Sequence, residues 1–157
     1  MEFVKTGPTE SGIIKIEVLD EGRSCGNIVF RVQADGTIGI SFISCVCPQL
    51  RGKCMKVFLF KLIEHFEEEG TITDATKVDL FVEPDYREGV SPRQATRKLK
   101  AHYARVGFAN DPAEPDLPEY MISTIGKIKE HIMVQGELSP SIRSILGSSP
   151  RRTQKRK

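Results

Sequence analysis

Ser44-Cys45-Val46-Cys47-Pro48-Gln49-Leu50-Arg51-Gly52-Lys53-Cys54 joins an apolar strand pattern to an apolar helix pattern through a short basic turn. These are the residues of an anion site. A helix begins with unpaired N–H groups and the positive end of its dipole, so a strand that feeds directly into a helix start can hold a pyrophosphate largely by main chain. Gly52 lets a ligand approach the backbone closely, and Arg51 and Lys53 add positive charge. The same residue types also make an ordinary strand-to-helix connection, so the turn alone leaves both readings open.

The elements on either side are legible. Ile38, Ile40 and Phe42 alternate with Gly39 and Ser41, a strand period. Met55, Phe58, Leu59, Leu62, Ile63 and Phe66 recur at helical spacing, and Gly70 stops the helix. Upstream, Ile14, Ile16 and Val18 give one strand, and Ile28, Phe30 and Val32 a second. Asp35-Gly36 marks a hairpin into the third strand, Thr37 to Val46. Downstream, Val78, Leu80 and Val82 form a fourth strand, expected parallel to the third through a right-handed crossover. Ser91-Pro92 opens a second helix with Ser91 as its cap, and Thr96, Leu99, Tyr103 and Val106 line one face up to Gly107. Asn110 to Pro118 is a loop with three prolines and three acidic residues. Glu119 to Ser123 reads as a closing strand, followed by a short helix over Ile125 to Val134 and another from Ser139-Pro140 to Leu146.

Two motifs at matching separation carry a resemblance. Gln49, Gly52 and Cys54 occupy the positions of a Gln/Arg-x-x-Gly-x-Gly/Ala loop, and Tyr103, Gly107 and Phe108 complete a Tyr-x-x-x-Gly-Phe helix end. In these features the chain resembles the GNAT family of N-acetyltransferases, from about Ile13 to Ile125. Cys54 stands where that family usually has glycine or alanine. Thr96 and Leu99 stand where asparagine and alanine are frequent. The family usually begins with a strand and two helices that form much of the acceptor site, whereas only residues 1–12 precede the first strand pattern here.

The resemblance implies a fold and a chemistry. The fold expected is α/β (α+β), a mixed, mainly antiparallel sheet with helices packed on it, extended by extra C-terminal helices. The domain expected is 13–147, after an N-terminal segment 1–12 and before a disordered basic tail 148–157. The function implied is transfer of an acetyl group from acetyl-CoA directly to a primary amine of a protein or small molecule. Transfer requires a deprotonated amine, a polarised carbonyl and a protonated leaving thiolate. Tyr103 matches the family's proton donor; as a residue of an apolar helix face it reads equally as a core aromatic. Glu83, at the end of the fourth strand, is the first choice of base ahead of Asp79, with a solvated carboxylate as the other reading. Backbone N–H groups around Ser44 to Cys47 would polarise the carbonyl, which assigns Val46 and Cys47 to the cofactor by position. Gln49, Leu50, Arg51, Gly52, Lys53 and Cys54 would bind its pyrophosphate.

Composition sets outer bounds. The 157 residues, 39% hydrophobic, suffice for one core, and no run approaches the roughly 18 apolar residues of a membrane span. The start, Met1-Glu2-Phe3-Val4-Lys5, lacks the organisation of a secretory signal. Cys25, Cys45, Cys47 and Cys54 form no paired C-x-x-C framework, and His65, His102 and His131 are scattered. Reduced, packed thiols are therefore expected and no metal site is. Together these readings point to an intracellular protein, cytoplasmic or nuclear. Net charge is only +2, yet the last seven residues hold five basic ones, a segment suited to nucleic acid or to an acidic protein surface. The expected partners are an amine acceptor, a protein or nucleic acid met by this tail, a second copy of the chain in a homodimer, and no membrane. A non-catalytic GNAT-fold adaptor that binds a partner through the tail and the C-terminal helices is the alternative to an enzyme.

Overall fold

The structure is a computed structural model that describes residues 1–83, 89, 91–134 and 137–138. Strand β1 (Glu2–Thr6) pairs antiparallel with β2 (Ile14–Asp20), β2 with β3 (Arg23–Val32), and β3 with β4 (Ile38–Cys45). The β3–β4 turn is held by Asp35, whose Oδ1 accepts the Thr37 N–H at 2.9 Å, and by Gly36 at φ +87°. From β4 the chain passes through a short 3₁₀ turn, Pro48–Leu50, into helix α1 (Cys54–Glu69), which ends at Gly70 in the left-handed conformation. Strand β5 (Lys77–Phe81) returns parallel to β4. Helix α2 (Pro92–Ala104) starts at Ser91, whose Oγ accepts the Gln94 N–H at 3.1 Å. β6 (Ala109–Asn110), β7 (Tyr120–Thr124), α3 (Ile125–Ile132) and a small hairpin of β8 (Met133–Val134) and β9 (Glu137–Leu138) follow.

The main sheet runs β1-β2-β3-β4-β5-β7-β6, antiparallel except for β4 beside β5. This is the mixed, mainly antiparallel sheet expected. Its inward residues, among them Ile16, Ile28, Phe30, Ile38, Leu80 and Met121, join the buried faces of α1, α2 and α3 in one apolar cluster. Phe58, Leu62, Ile63 and Ile128 are wholly inaccessible there, each contributing on the order of 2 kcal/mol through burial. No helix among the described residues is long and apolar enough to cross a membrane.

Three expectations change. Residues 1–12 are more than a leading segment, because they contain β1 and the cis Gly7–Pro8 bond of the link to β2. Phe3 and Val4 are only half-buried on a sheet edge, which leaves too weak an alternation to read. The stretch 7–13 links β1 to β2 without a helix. Second, α3 stops at Ile132, because Met133 is already extended and opens the hairpin. The helix expected over 139–146 and the tail 148–157 lie outside the described residues.

Third, the cysteines are bonded: Cys25 to Cys47 and Cys45 to Cys54, with Cα separations of 5.1 and 6.3 Å, both within the range a disulfide spans. None of the four is a free thiol. The turn out of β4 produces this. Val46 donates its N–H to the Cys25 carbonyl at 2.7 Å, setting Cys47 beside Cys25, while the start of α1 returns beside Cys45. With the thiols paired, cysteine usage gives no support to an intracellular assignment.

Candidate functional site

The site begins at a fault in β4. Phe30 faces Ile40 and Val29 faces Phe42, so Ser41 has no partner in β3. Such a bulge bends its strand, and the parallel pairing of β4 with β5 ends at this point, with Ile40 opposite Leu80. Beyond it, Phe42 to Ser44 stay paired to β3 on one edge while the other edge faces a cleft of about 590 Å³. The bulge also reverses the side-chain phase. Phe42, expected in the core by alternation, is 51% exposed on the cleft.

The opposite wall is β5 and its continuation, Leu80, Phe81, Val82 and Glu83, with Glu119 beside them. Val82 donates its N–H to the Glu119 carbonyl at 2.7 Å, which brings the two acidic residues to the same end of the cleft. Thr96, Leu99 and Tyr103 of α2 form the floor, and Met55 of α1 closes the end towards the turn. Tyr103 is buried, with its ring edge-on to Phe108 at 5.9 Å. Burial pushes its phenol up to about 12, so it keeps its proton throughout the physiological range. Among the described residues the lining contains Glu83 and Glu119 and no lysine, arginine or histidine. Tyr103 and Glu83, proposed from sequence as acid and base, thus share one cleft.

The turn before α1 adjoins the cleft at Met55. Gly52 takes φ +77°, and a Cβ added there would meet nothing within 4 Å. Its surroundings are open, and the conformation is one that side-chain-bearing residues rarely adopt. Among the described residues no side chain caps α1. The first N–H groups of the helix, at Cys54, Met55 and Lys56, therefore remain available to an anion, beside exposed Arg51 and half-buried Lys53. Leu50 is fully buried and pins the turn to the core. Gln49 does not point to this opening, since its Nε2 donates to Asp20 Oδ2 at 2.9 Å.

Val46 and Cys47 lie away from the cleft lining. The Val46 N–H is taken by Cys25, its side chain is 79% exposed, and Cys47 is buried in its disulfide. The part of β4 that lines the cleft runs from Ile40 to Ser44. Asp79 sits outside the cleft, its Oδ1 accepting from Gln33 Nε2 at 2.8 Å and its Oδ2 from the Tyr120 hydroxyl at 2.7 Å. His102 is exposed, 3.5 Å from an Arg105 nitrogen. Sequence reasoning missed Phe42, Phe81 and Glu119 as cleft residues. The adjacent apolar pair Phe42-Ile43, which breaks strict alternation, was the available sign of the bulge.

No family model matches the sequence, and no curated protein does. Solved structures do match. The PaiA N-acetyltransferase from Thermoplasma acidophilum, solved in complex with coenzyme A, aligns with a TM-score of 0.50 at 14% identity. The alignment covers 72% of this chain and 61% of PaiA, so the chain spans less than two thirds of that relative's length. KacTA, solved in a complex with DNA, aligns with a TM-score of 0.52 at 10% identity over 78% of this chain and 74% of its own. The fold is GNAT-like. Within the GNAT architecture, the parting of β4 from β5 and the open start of α1 form one continuous feature.

Proposed function

We propose that the chain is an acetyl-CoA-dependent N-acetyltransferase that acts on a primary amine of a protein or small molecule by direct transfer. The observation that carries this reading is the cleft itself: a free edge of β4, a protonated Tyr103 and a terminal Glu83, opening towards an uncapped helix start. The fold shared with a coenzyme A-bound acetyltransferase supports it.

The donor set fits a pyrophosphate carried on a long neutral arm. The amides of Gly52 and the first turn of α1, with Arg51 and Lys53, would hold the phosphates, and the edge of β4 would pair with the arm. When bound, acetyl-CoA supplies an activated acetyl thioester. Edge N–H groups of β4 would stabilise negative charge on the acetyl carbonyl oxygen. Glu83 would accept the proton of the incoming ammonium, directly or through water, and Tyr103 would donate a proton to the departing sulfur. Burial, which raises this phenol to about 12, keeps it protonated in the unliganded cleft.

A second reading, a non-catalytic adaptor, is favoured by one observation. Residues 7–13 form only a link between β1 and β2, which leaves the acceptor side without the helices that usually form it in the family. On that reading the basic tail contacts a protein or nucleic acid. An assay of thiol release from acetyl-CoA over a panel of primary amines separates the two. Amine-dependent release supports the enzyme, whereas tight coenzyme A binding without release for any amine supports the adaptor.

A further inference from the structure

We propose that the cofactor turn is a thiol–disulfide switch: its two disulfides hold the coenzyme A-binding conformation, and their reduction weakens binding. The proposal rests on the coenzyme A reading of the site. Its starting point is the placement of the cysteines, all four of which meet at this turn. Cys45 is the last residue of β4 and Cys54 the first of α1, so their bond closes the turn 46–53 at its two ends. Cys47 precedes the 3₁₀ turn and is tied back to Cys25 on β3. No other stretch of the chain is cross-linked, since no cysteine remains.

Without these bonds the turn has few restraints. Three backbone hydrogen bonds close within it, from Leu50 to Cys47, Arg51 to Pro48 and Lys53 to Leu50. Leu50 anchors it in the core, and Gln49 holds Asp20 from an exposed position. Gly52 is conformationally free, and α1 lacks a capping side chain. The amide of Cys54 is among those that would face the pyrophosphate, so the Cys45–Cys54 bond fixes a binding group directly. A turn held in its bound conformation avoids an ordering cost when the ligand arrives.

Access differs between the bonds. Cys45, Cys54 and Cys25 are half-buried, whereas Cys47 is 3% exposed. Cys45–Cys54 is therefore the first target for a small thiol. The step balances as ordinary exchange. Two low-molecular-weight thiols give up two protons and two electrons and become one disulfide, and the protein S–S bond becomes two thiols. A low-molecular-weight disulfide such as oxidised glutathione drives the reverse.

The test has two parts. Alkylation of the protein prepared without reductant, followed by digestion and mass spectrometry, should recover the Cys25–Cys47 and Cys45–Cys54 linked peptides; four alkylated cysteines would overturn the proposal. Calorimetric titration with acetyl-CoA, whose acylated sulfur cannot itself reduce the disulfides, should show weaker binding after reduction with dithiothreitol by about tenfold, the factor equivalent to ordering one residue's backbone. Oxidised glutathione should restore it. Cys45→Ser and Cys54→Ser remove the same bond from opposite sides, so both should show weakened affinity even without reductant. A loss in only one variant would trace the effect to that side chain and overturn the proposal. Equal affinity of oxidised and reduced wild type also overturns it while leaving the coenzyme A reading intact, whereas no binding in either form removes that reading itself. Circular dichroism melts accompany the titrations, and a reduced chain that has unfolded makes the bonds purely structural, which overturns the switch.

Discussion

Substitution at Gly52 isolates the anion-binding step. Gly52→Ala, Gly52→Gln and Gly52→Glu all place a Cβ at φ +77°, where it meets no atom within 4 Å. The shared cost is conformational, about 1–2 kcal/mol of left-handed backbone strain, and thermal melts should show it equally in all three. Gln and Glu match in size, so the difference between them is charge. A carboxylate about 5 Å from one phosphate charge is repelled by about 0.8 kcal/mol in water and about 3 kcal/mol at the weaker screening near a protein surface. Binding of coenzyme A should therefore be about fourfold to a few hundredfold weaker in Gly52→Glu than in Gly52→Gln. Calorimetry reads this ratio directly, and the gap should narrow as salt rises. Equal affinities for the Glu and Gln variants, with similar melts, would refute the placement of the pyrophosphate at this turn.

Tyr103→Phe should lower amine-dependent thiol release by about a hundredfold with the fold intact, and unchanged turnover would leave Tyr103 as a packing residue. Its phenol also has a stability signature: raised to about 12 by burial, it contributes fully below pH 10 and is lost as pH climbs from 10 through 12. Tyr103→Phe should remove that part of the alkaline loss, as read by chemical denaturation. His65 is held below its ordinary value by burial and then by Lys5, whose Nζ is 3.2 Å from Nδ1. The unfolded chain therefore takes up this proton first as pH falls below 6.5, stability drops, and Lys5→Met should lessen the drop in thermal melts. Gly39→Ala places a Cβ 2.6 Å from Gln33 Nε2. Gln33 should swing off Asp79, costing about 1 kcal/mol in a denaturant titration.

The sequence is most readable where one periodicity meets one burial pattern. β2 buries the residues that its alternation marks, and β3 and α1 do so except at their ends, where Val32 is exposed and Met55 half-buried, because each turns a single face to a single core. β4 fails half-way, since a bulge at Ser41 changes phase without changing composition, and the cleft exists because of that change. β1 is an edge strand with a half-buried Phe3 and Val4, so little selects for alternation there. The turn before α1 is recognisable from Gly52 and its basic neighbours, yet the use of Gln49 by Asp20 and of the Val46 amide by Cys25 depends on residues distant in sequence. Cysteine pairing across 22 positions is equally non-local, and local spacing gives no sign of it.

The central claim is that one ligand lies across the start of α1 and the gap between β4 and β5. A crystal structure with coenzyme A tests it most directly. The pyrophosphate should lie against the amides of Gly52 and residues 54–56, the arm along the free edge of Ser41 to Ser44, and the sulfur next to Tyr103. Coenzyme A bound elsewhere, or a cleft still empty at saturating ligand, would contradict it.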